Sequence, residues 1–203
     1  MSLRISGGRR LRSPAGNGAR PTSARVRLAV MNLLADRLRG SRWLDLCGGS
    51  GVMACEVLQR GAARVVAIER DARVAAVARA NLVAVAAGLA SAPGAEAGAA
   101  TPPQALVHGA DALRWLVGGP AARHEERFDL IYLDPPWGAA LHGPLSDAVR
   151  LHGWLAPEGL LLWECPSEAL PSLPEGWIAS EARRYGGTTL LILQPWADDR
   201  GVR

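Results

Sequence analysis

Two short stretches of this sequence bring together residues that could do chemistry. The first is Asp134-Pro135-Pro136-Trp137, at the end of the run Phe128-Asp129-Leu130-Ile131-Tyr132-Leu133. Each proline fixes its own φ, and Pro136 pushes Pro135 towards an extended conformation, so the backbone from Asp134 to Trp137 keeps little freedom. A hydrogen-bond acceptor is thereby held beside an aromatic face. That pairing suits a planar ring bearing an exocyclic amine. Asp134, or a nearby backbone carbonyl, accepts the amine N–H bonds and orients the nitrogen, while Trp137 offers a stacking surface. The competing reading is a strand closed by a tight turn with a structural Asp; the indole and the second stretch favour the functional one.

The second stretch is Gly48-Gly49-Ser50-Gly51, which follows a strand-like segment from Arg42 to Cys47 and precedes a helical one from Val52 to Gln59. A strand, a glycine turn and a helix N-terminus leave backbone N–H groups facing a ligand, the usual construction of a nucleotide-type cofactor site. Glu69 stands at the end of the next strand, Val65-Val66-Ala67-Ile68, where a carboxylate can accept both hydroxyls of a ribose. Alone, the loop specifies a cofactor with a ribose. Gly49-Ser50-Gly51-Val52-Met53-Ala54 also satisfies the relaxed dinucleotide fingerprint G-x-G-x-x-G/A, so a nicotinamide oxidoreductase stays open at this point. Hydride transfer has no evident need for an Asp-Pro-Pro-Trp corner, whereas amine methylation does. Asp111, beyond a third strand Ala105-Leu106-Val107-His108, either meets an adenine amine or caps a helix.

The elements that must position these groups alternate between strand and helix. Leu130 to Leu133 is a short apolar run bounded by proline, the pattern of a strand buried on both faces of a parallel sheet. Pro135 ends it, because proline cannot donate to a ladder. Helices are predicted from Ala72 to about Ala87 and from Leu145 to Leu155. Further strands are predicted from Gly159 to Cys165, Trp177 to Tyr185 and Thr188 to Gln194, which gives seven strands and an α/β class. Residues 90–103 form an Ala/Gly/Pro tract, read as an insertion rather than a site.

At 203 residues one domain is the default, with room for a small appendage. Boundaries are expected at 1–40 for a basic extension, 41–197 for the catalytic domain and 198–203 for a tail. There is no lysine, so every side-chain cation that is not histidine is a guanidinium, which binds phosphate in a bidentate way and stacks on bases. Arg4, Arg9, Arg10, Arg12, Arg20, Arg25 and Arg27 precede the first acidic residue, Asp36; such a block is the footprint of a nucleic-acid contact, against the alternative of a solvated basic tail. Gly7-Gly8 and Pro14 to Gly18 are turn signals, so a small hairpin or extended arm is expected. Thr22 or Ser23 then caps a helix whose Val26, Ala29, Val30, Leu33 and Leu34 recur at helical spacing and dock the arm. Cys47, Cys55 and Cys165 are odd in number and show no metal-like spacing, which points to a reducing compartment; Cys47 and Cys55 are expected to be buried packing residues. His108, His124, His142 and His152 show no ligand pattern. No metal site is expected. No stretch is expected to span a bilayer, which places the protein in the cytoplasm.

Over almost its whole length the chain resembles the RsmD family of S-adenosylmethionine-dependent methyltransferases, which act on the exocyclic N2 of a guanine in 16S ribosomal RNA. Leu3-Arg4-Ile5-Ser6-Gly7-Gly8 is similar to the family's N-terminal hairpin, and Arg20-Pro21-Thr22 with Arg25-Val26-Arg27 and Asn32-Leu33-Leu34 to its arginine-proline-threonine helix. Leu44-Asp45-Leu46-Cys47-Gly48-Gly49-Ser50-Gly51 resembles its cofactor loop, with Glu56 and Arg60-Gly61-Ala62 following in place. Asp134-Pro135-Pro136-Trp137 matches its catalytic motif, and Tyr185-Gly186-Gly187-Thr188-Thr189-Leu190 the approach to its last strand. Cys47, Gly48, Leu28, Gln59 and Gly187 depart from the usual residues. The resemblance implies a Rossmann-like class I methyltransferase fold, with a mostly parallel seven-stranded sheet, helices on both faces and an N-terminal hairpin and helix extension. It implies S-adenosylmethionine held by Asp45, Gly48, Gly49, Ser50, Gly51, Glu69 and Asp111. Ribosomal RNA, naked or in the small subunit, would meet Arg4, Arg9, Arg10, Arg12, Arg20 and Arg27 of a monomer. An N6-adenine methyltransferase and a non-catalytic RNA-binding assembly factor are the alternatives.

Overall fold

The computed structural model describes residues 3–14, 22–91 and 103–196. Arg20 and Pro21, nearly all of the 90–103 tract and the 198–203 tail therefore lie outside the described residues. The chain divides into two compact units, Met1–Asp111 and Ala112–Arg203.

The first unit opens with the expected hairpin. Ile5 N–H donates to the Arg9 carbonyl (3.1 Å) and Leu11 N–H to that of Leu3 (2.8 Å), around a turn in which Gly7 and Gly8 take φ of 76° and 81°. Ile5 and Leu11 point inward. Helix α1 (Ala24–Leu33) is capped by Ser23, whose Oγ accepts the Val26 N–H at 3.2 Å, and it buries Val26, Val30 and Met31. A short helix α2 (Ala35–Leu38) leads to strand β1 (Arg42–Leu46). After α3 (Val52–Gln59) come β2 (Arg64–Glu69), α4 (Ala72–Ala90) and β3 (Gln104–Gly109). The strands pair in parallel in the order β3-β2-β1, with Val65 to Ile68 wholly buried, as expected of a central strand covered on both faces.

Helix α4 corrects one expectation. By length and mean hydropathy, 1.4 over its most apolar window, it could cross a membrane. One face of it serves the core, where Ala75, Ala78, Leu82 and Val85 are buried and it packs on α3 and β3, and Asp71 caps its start by accepting the N–H groups of Arg73 and Val74.

The second unit begins with α5 (Ala112–Leu116), too short for periodicity to reveal, and continues through β4 (Phe128–Leu133), α6 (His142–Leu151), β5 (Leu155–Pro166), β6 (Trp177–Tyr185) and β7 (Thr188–Pro195). Strands β4 and β5 pair in parallel, while β7 pairs antiparallel with both β5 and β6. Helix α6 lies earlier than predicted, because Gly153 takes φ of 67° just past its end and Leu155 already begins a strand. That strand starts early through an irregular register opposite Phe128 and Leu130. A Cβ on Gly159 would lie 2.8 Å from Leu155 Cγ, so glycine is required there. Trp154 anchors the unit, stacking on Trp115 with centroids 4.5 Å apart and donating its indole N–H to the Leu116 carbonyl at 2.8 Å. Among the described residues the strands number seven and are mostly parallel, in the order β3-β2-β1 in the first unit and β4-β5-β7-β6 in the second.

The hairpin is fastened by a buried ion pair. Arg27 Nε donates to Glu56 at 3.4 Å, with Arg27 only 6% and Glu56 4% exposed at the side chain. Arg27 also donates to the carbonyls of Thr22 and Arg4, and Glu56 accepts the Ser6 N–H at 3.1 Å. Glu56→Ala would leave a buried guanidinium without its counter-ion. A stability loss of about 3–5 kcal/mol is expected in denaturant unfolding; a change within about 0.5 kcal/mol, the range of ordinary surface substitutions, would deny the pair its structural role.

Candidate active site

In the first unit the chemistry gathers at the carboxyl end of β1. Buried Asp45 is followed by Cys47 with φ of 63°, then by Gly49 and Gly51 with φ of 53° and 75°. Two of the glycines sit in close packing. A Cβ on Gly51 would lie 3.1 Å from the Ala78 Cβ of α4, and one on Gly48 would lie 3.3 Å from both the Ala67 Cβ and the Asp45 carboxylate. Gly49 differs, because a Cβ there meets nothing within 4 Å. Gly48 N–H bonds to the Ile68 carbonyl and Gly51 N–H to that of Gly48, which closes the turn into α3. The N-cap Gly51 offers α3 no side-chain cap, so the first-turn N–H groups and the positive end of the helix dipole are presented by backbone alone.

Glu69 ends β2 beside this loop. One of its oxygens accepts the Gly49 N–H at 3.0 Å and the other the Asp71 N–H at 2.8 Å, so a single carboxylate ties the loop to the start of α4. Each oxygen keeps a lone pair for a further donor. Asp111 lies between β3 and α5, half-buried.

In the second unit β4 delivers Asp134, half-buried, and Pro135, buried; Trp137 is 42% exposed. Ala139 N–H donates to the Pro136 carbonyl at 3.0 Å, and Gly138 and Ala140 take positive φ, so the corner is a compact turn with its indole at the surface. Behind it lies a buried polar cluster that the sequence did not announce. Tyr132 donates to the Glu164 carboxylate, His142 Nε2 contacts the Glu164 carbonyl at 2.9 Å, and Trp163 Nε1 donates to Ser146 Oγ. Burial pushes the Cys165 thiol up to about 11, with the charges of Glu164 and Asp134 adding to it. Burial pushes Cys55 up to about 12, helped by Asp45 and Glu56, so both thiols stay protonated and inert at neutral pH. Cys47, expected to be buried, is half-exposed beside the loop.

The family model described as Conserved hypothetical protein 95, which represents RsmD-type enzymes, matches residues 3–194. "Ribosomal RNA small subunit methyltransferase D" of Escherichia coli K12 is 30% identical over 197 residues, covering 95% of this chain and 89% of that protein. The chain belongs to the RsmD family of methyltransferases. The solved structure of Escherichia coli yhhF is 28% identical with a TM-score of 0.75, covering 96% of this chain and 98% of that one. The structure of the rRNA methyltransferase aviRa from Streptomyces viridochromogenes, 17% identical with a TM-score of 0.64 over 88% of this chain and 87% of its own, shares the fold. The class I methyltransferase fold expected from the sequence is thus the one adopted.

Within this RsmD-family chain the basic extension needs one correction. Arg27 is buried and committed to Glu56, Thr22 and Arg4, so it supports the hairpin from within and is removed from the RNA-facing set. Arg9 is exposed but lies along α4, donating to the Ala84 carbonyl at 3.0 Å. Arg4 caps the hairpin turn through the Gly8 carbonyl. Arg10 and Arg12 are exposed. Gln59 proves to be a hairpin fastener, donating from Nε2 to the Ser6 carbonyl at 2.6 Å. Asn81, missed in the sequence, binds both the arm and the glycine loop; a polar residue on the inward stripe of an alanine-rich helix was its only signal.

Proposed function

We propose that this chain transfers a methyl group from S-adenosylmethionine to the exocyclic N2 amine of a guanine in 16S ribosomal RNA of the small subunit. The observation that carries this reading is the corner after β4, where a half-buried carboxylate on a proline-fixed backbone precedes an exposed indole in a chain of this family. The relative named for small-subunit ribosomal RNA supports the substrate class.

The residues of the first unit fit the cofactor. Gly49 faces open space, α3 begins without a side-chain cap, and Glu69 has acceptor capacity for ribose hydroxyls. Gly48 to Gly51 would hold the amino-acid part against backbone, Asp45 would order the loop, and Asp111 would meet the adenine amine. When bound, S-adenosylmethionine supplies an electrophilic methyl group on a sulfonium.

A guanine amine is a weak nucleophile because its lone pair is delocalised into the ring, so the protein's contribution is chiefly orientation. Near-attack positioning is worth roughly 7–11 kcal/mol. Asp134 accepts an N2–H bond and fixes the nitrogen; Pro135 and Pro136 keep the carboxylate from moving; Trp137 stacks the base. As nitrogen gains the methyl group it loses a proton, which Asp134 or water takes, so no strong base is needed. The target base must leave its stack, which favours a loop or end of the RNA over a duplex. We place the reaction in the cytoplasm, on naked RNA or an assembling subunit, with a monomeric enzyme.

Incubation of the protein with methyl-labelled cofactor and either naked ribosomal RNA or small subunits, followed by digestion to nucleosides, tests this. Label in N2-methylguanosine is expected. Label in N6-methyladenosine would select the adenine reading, and tight RNA binding without cofactor binding would select an assembly factor. The arm has its own test. Arg10→Ala with Arg12→Ala should weaken RNA binding and reduce the slope of log affinity against log salt by about 0.7 for each phosphate no longer neutralised, with cofactor affinity preserved. An unchanged slope would remove the arm from the RNA interface.

A further inference from the structure

Asn81 lies on the inward stripe of α4, only 2% exposed, with every hydrogen-bonding atom of its amide engaged. Oδ1 accepts the Arg12 N–H at 2.8 Å, and Nδ2 donates to the Arg12 carbonyl at 3.0 Å, so the amide pairs with the arm much as a neighbouring strand would. The second Nδ2 proton goes to the Ser50 carbonyl at 3.0 Å, in the middle of the glycine loop. Aspartate could not donate and leucine could do neither; glutamine is one methylene too long for this spacing.

We propose that Asn81 is a positioning residue that couples docking of the N-terminal arm to the order of the cofactor loop, so that RNA and cofactor bind cooperatively. This rests on the reading of residues 48–51 as the S-adenosylmethionine loop and of the arm as an RNA contact. The planar amide cannot turn to follow Arg12 without moving its bond to Ser50, and a loosened loop releases one of the bonds that hold the Asn81 amide in place for Arg12. A second fastening acts in the same sense. Ser6 is held by Glu56 and Gln59 of α3, the helix that begins directly after Gly51. An RNA that fixes Arg12 therefore favours the ordered loop, and a filled loop favours the docked arm. By linkage the two effects are one factor, and couplings of this kind are worth about 5-fold or more.

Amide hydrogen exchange of the full, unaltered chain with and without saturating S-adenosylhomocysteine is the primary test. Protection is expected to rise at Gly48 to Gly51 and, by about 5-fold or more, at the Arg12 amide, which Asn81 holds on α4. Protection of the loop with no change at Arg12 would overturn the coupling while leaving the cofactor site intact. Protection at neither would overturn the cofactor reading and the coupling with it. In Asn81→Ala, confirmed as folded by its thermal transition, saturating cofactor is expected to leave RNA affinity unchanged where the native chain gains about 5-fold; an equal gain in both proteins would overturn the assignment to Asn81.

Discussion

Asp134→Ala is expected to lower the rate of methyl transfer by about 10²–10³-fold, the scale on which loss of one preorganised polar group at a reacting centre is felt. Cofactor affinity, measured by calorimetry, is expected to stay within about 3-fold, less than one neutral hydrogen bond is worth. The backbone is the cause. Strand β4 is buried along Leu130 to Leu133, its register with β5 is fixed from Leu130↔Leu160 to Leu133↔Trp163, and Pro135 is itself buried. The carboxylate therefore projects from a frame that has little means of relaxing once the side chain is removed. Alanine takes away the acceptor, and a bound amine then points its N–H bonds at nothing that holds them. Asp134→Asn keeps one acceptor oxygen, cannot take the proton and presents an N–H group to the amine, so an intermediate loss is expected. A collapse of cofactor affinity in Asp134→Ala would instead place this carboxylate in the cofactor's site.

Glu69→Ala is expected to fail in the opposite way. Two backbone N–H groups, those of Gly49 and Asp71, donate to this carboxylate, and it offers further acceptor capacity to a ribose. Hydrogen bonds to a charged group are worth about 1.5–3 kcal/mol each, so removing the ribose bonds and the loop anchor together should weaken cofactor binding by about 10²-fold or more. The rate at saturating cofactor should fall far less, because nothing that orients the amine has changed. Calorimetry with S-adenosylhomocysteine decides the matter; an affinity within about 3-fold of the native chain, below the worth of one such bond, would show that Glu69 serves the loop alone.

The corner and the glycine loop were legible in the sequence for physical reasons. A proline pair after an apolar run can only end a strand, and a glycine run between a strand and a helix can only turn tightly, so the corner and the loop were readable from composition alone. Positions whose roles depend on distant partners were not. Arg27 looks like its arginine neighbours in the basic block, and its burial follows from Glu56 lying 29 residues later on the facing helix. Asn81 lies 69 residues from Arg12 and 31 from Ser50, separations that no local pattern encodes. Tyr132 and Glu164 meet for the same reason, through the pairing of β4 with β5. The early start of β5 was hidden because Pro157-Glu158-Gly159 reads as a turn, while the irregular register opposite Phe128 accommodates it inside the strand.

Ribosomal RNA from cells carrying the intact gene, from cells lacking it and from cells complemented with Asp134→Ala puts the proposal to its most direct test when the methylated nucleosides of the small-subunit RNA are mapped by mass spectrometry. The expected result is one N2-methylguanine that disappears on deletion, returns with the native chain and does not return with Asp134→Ala. The same base methylated in all three strains would contradict the proposal.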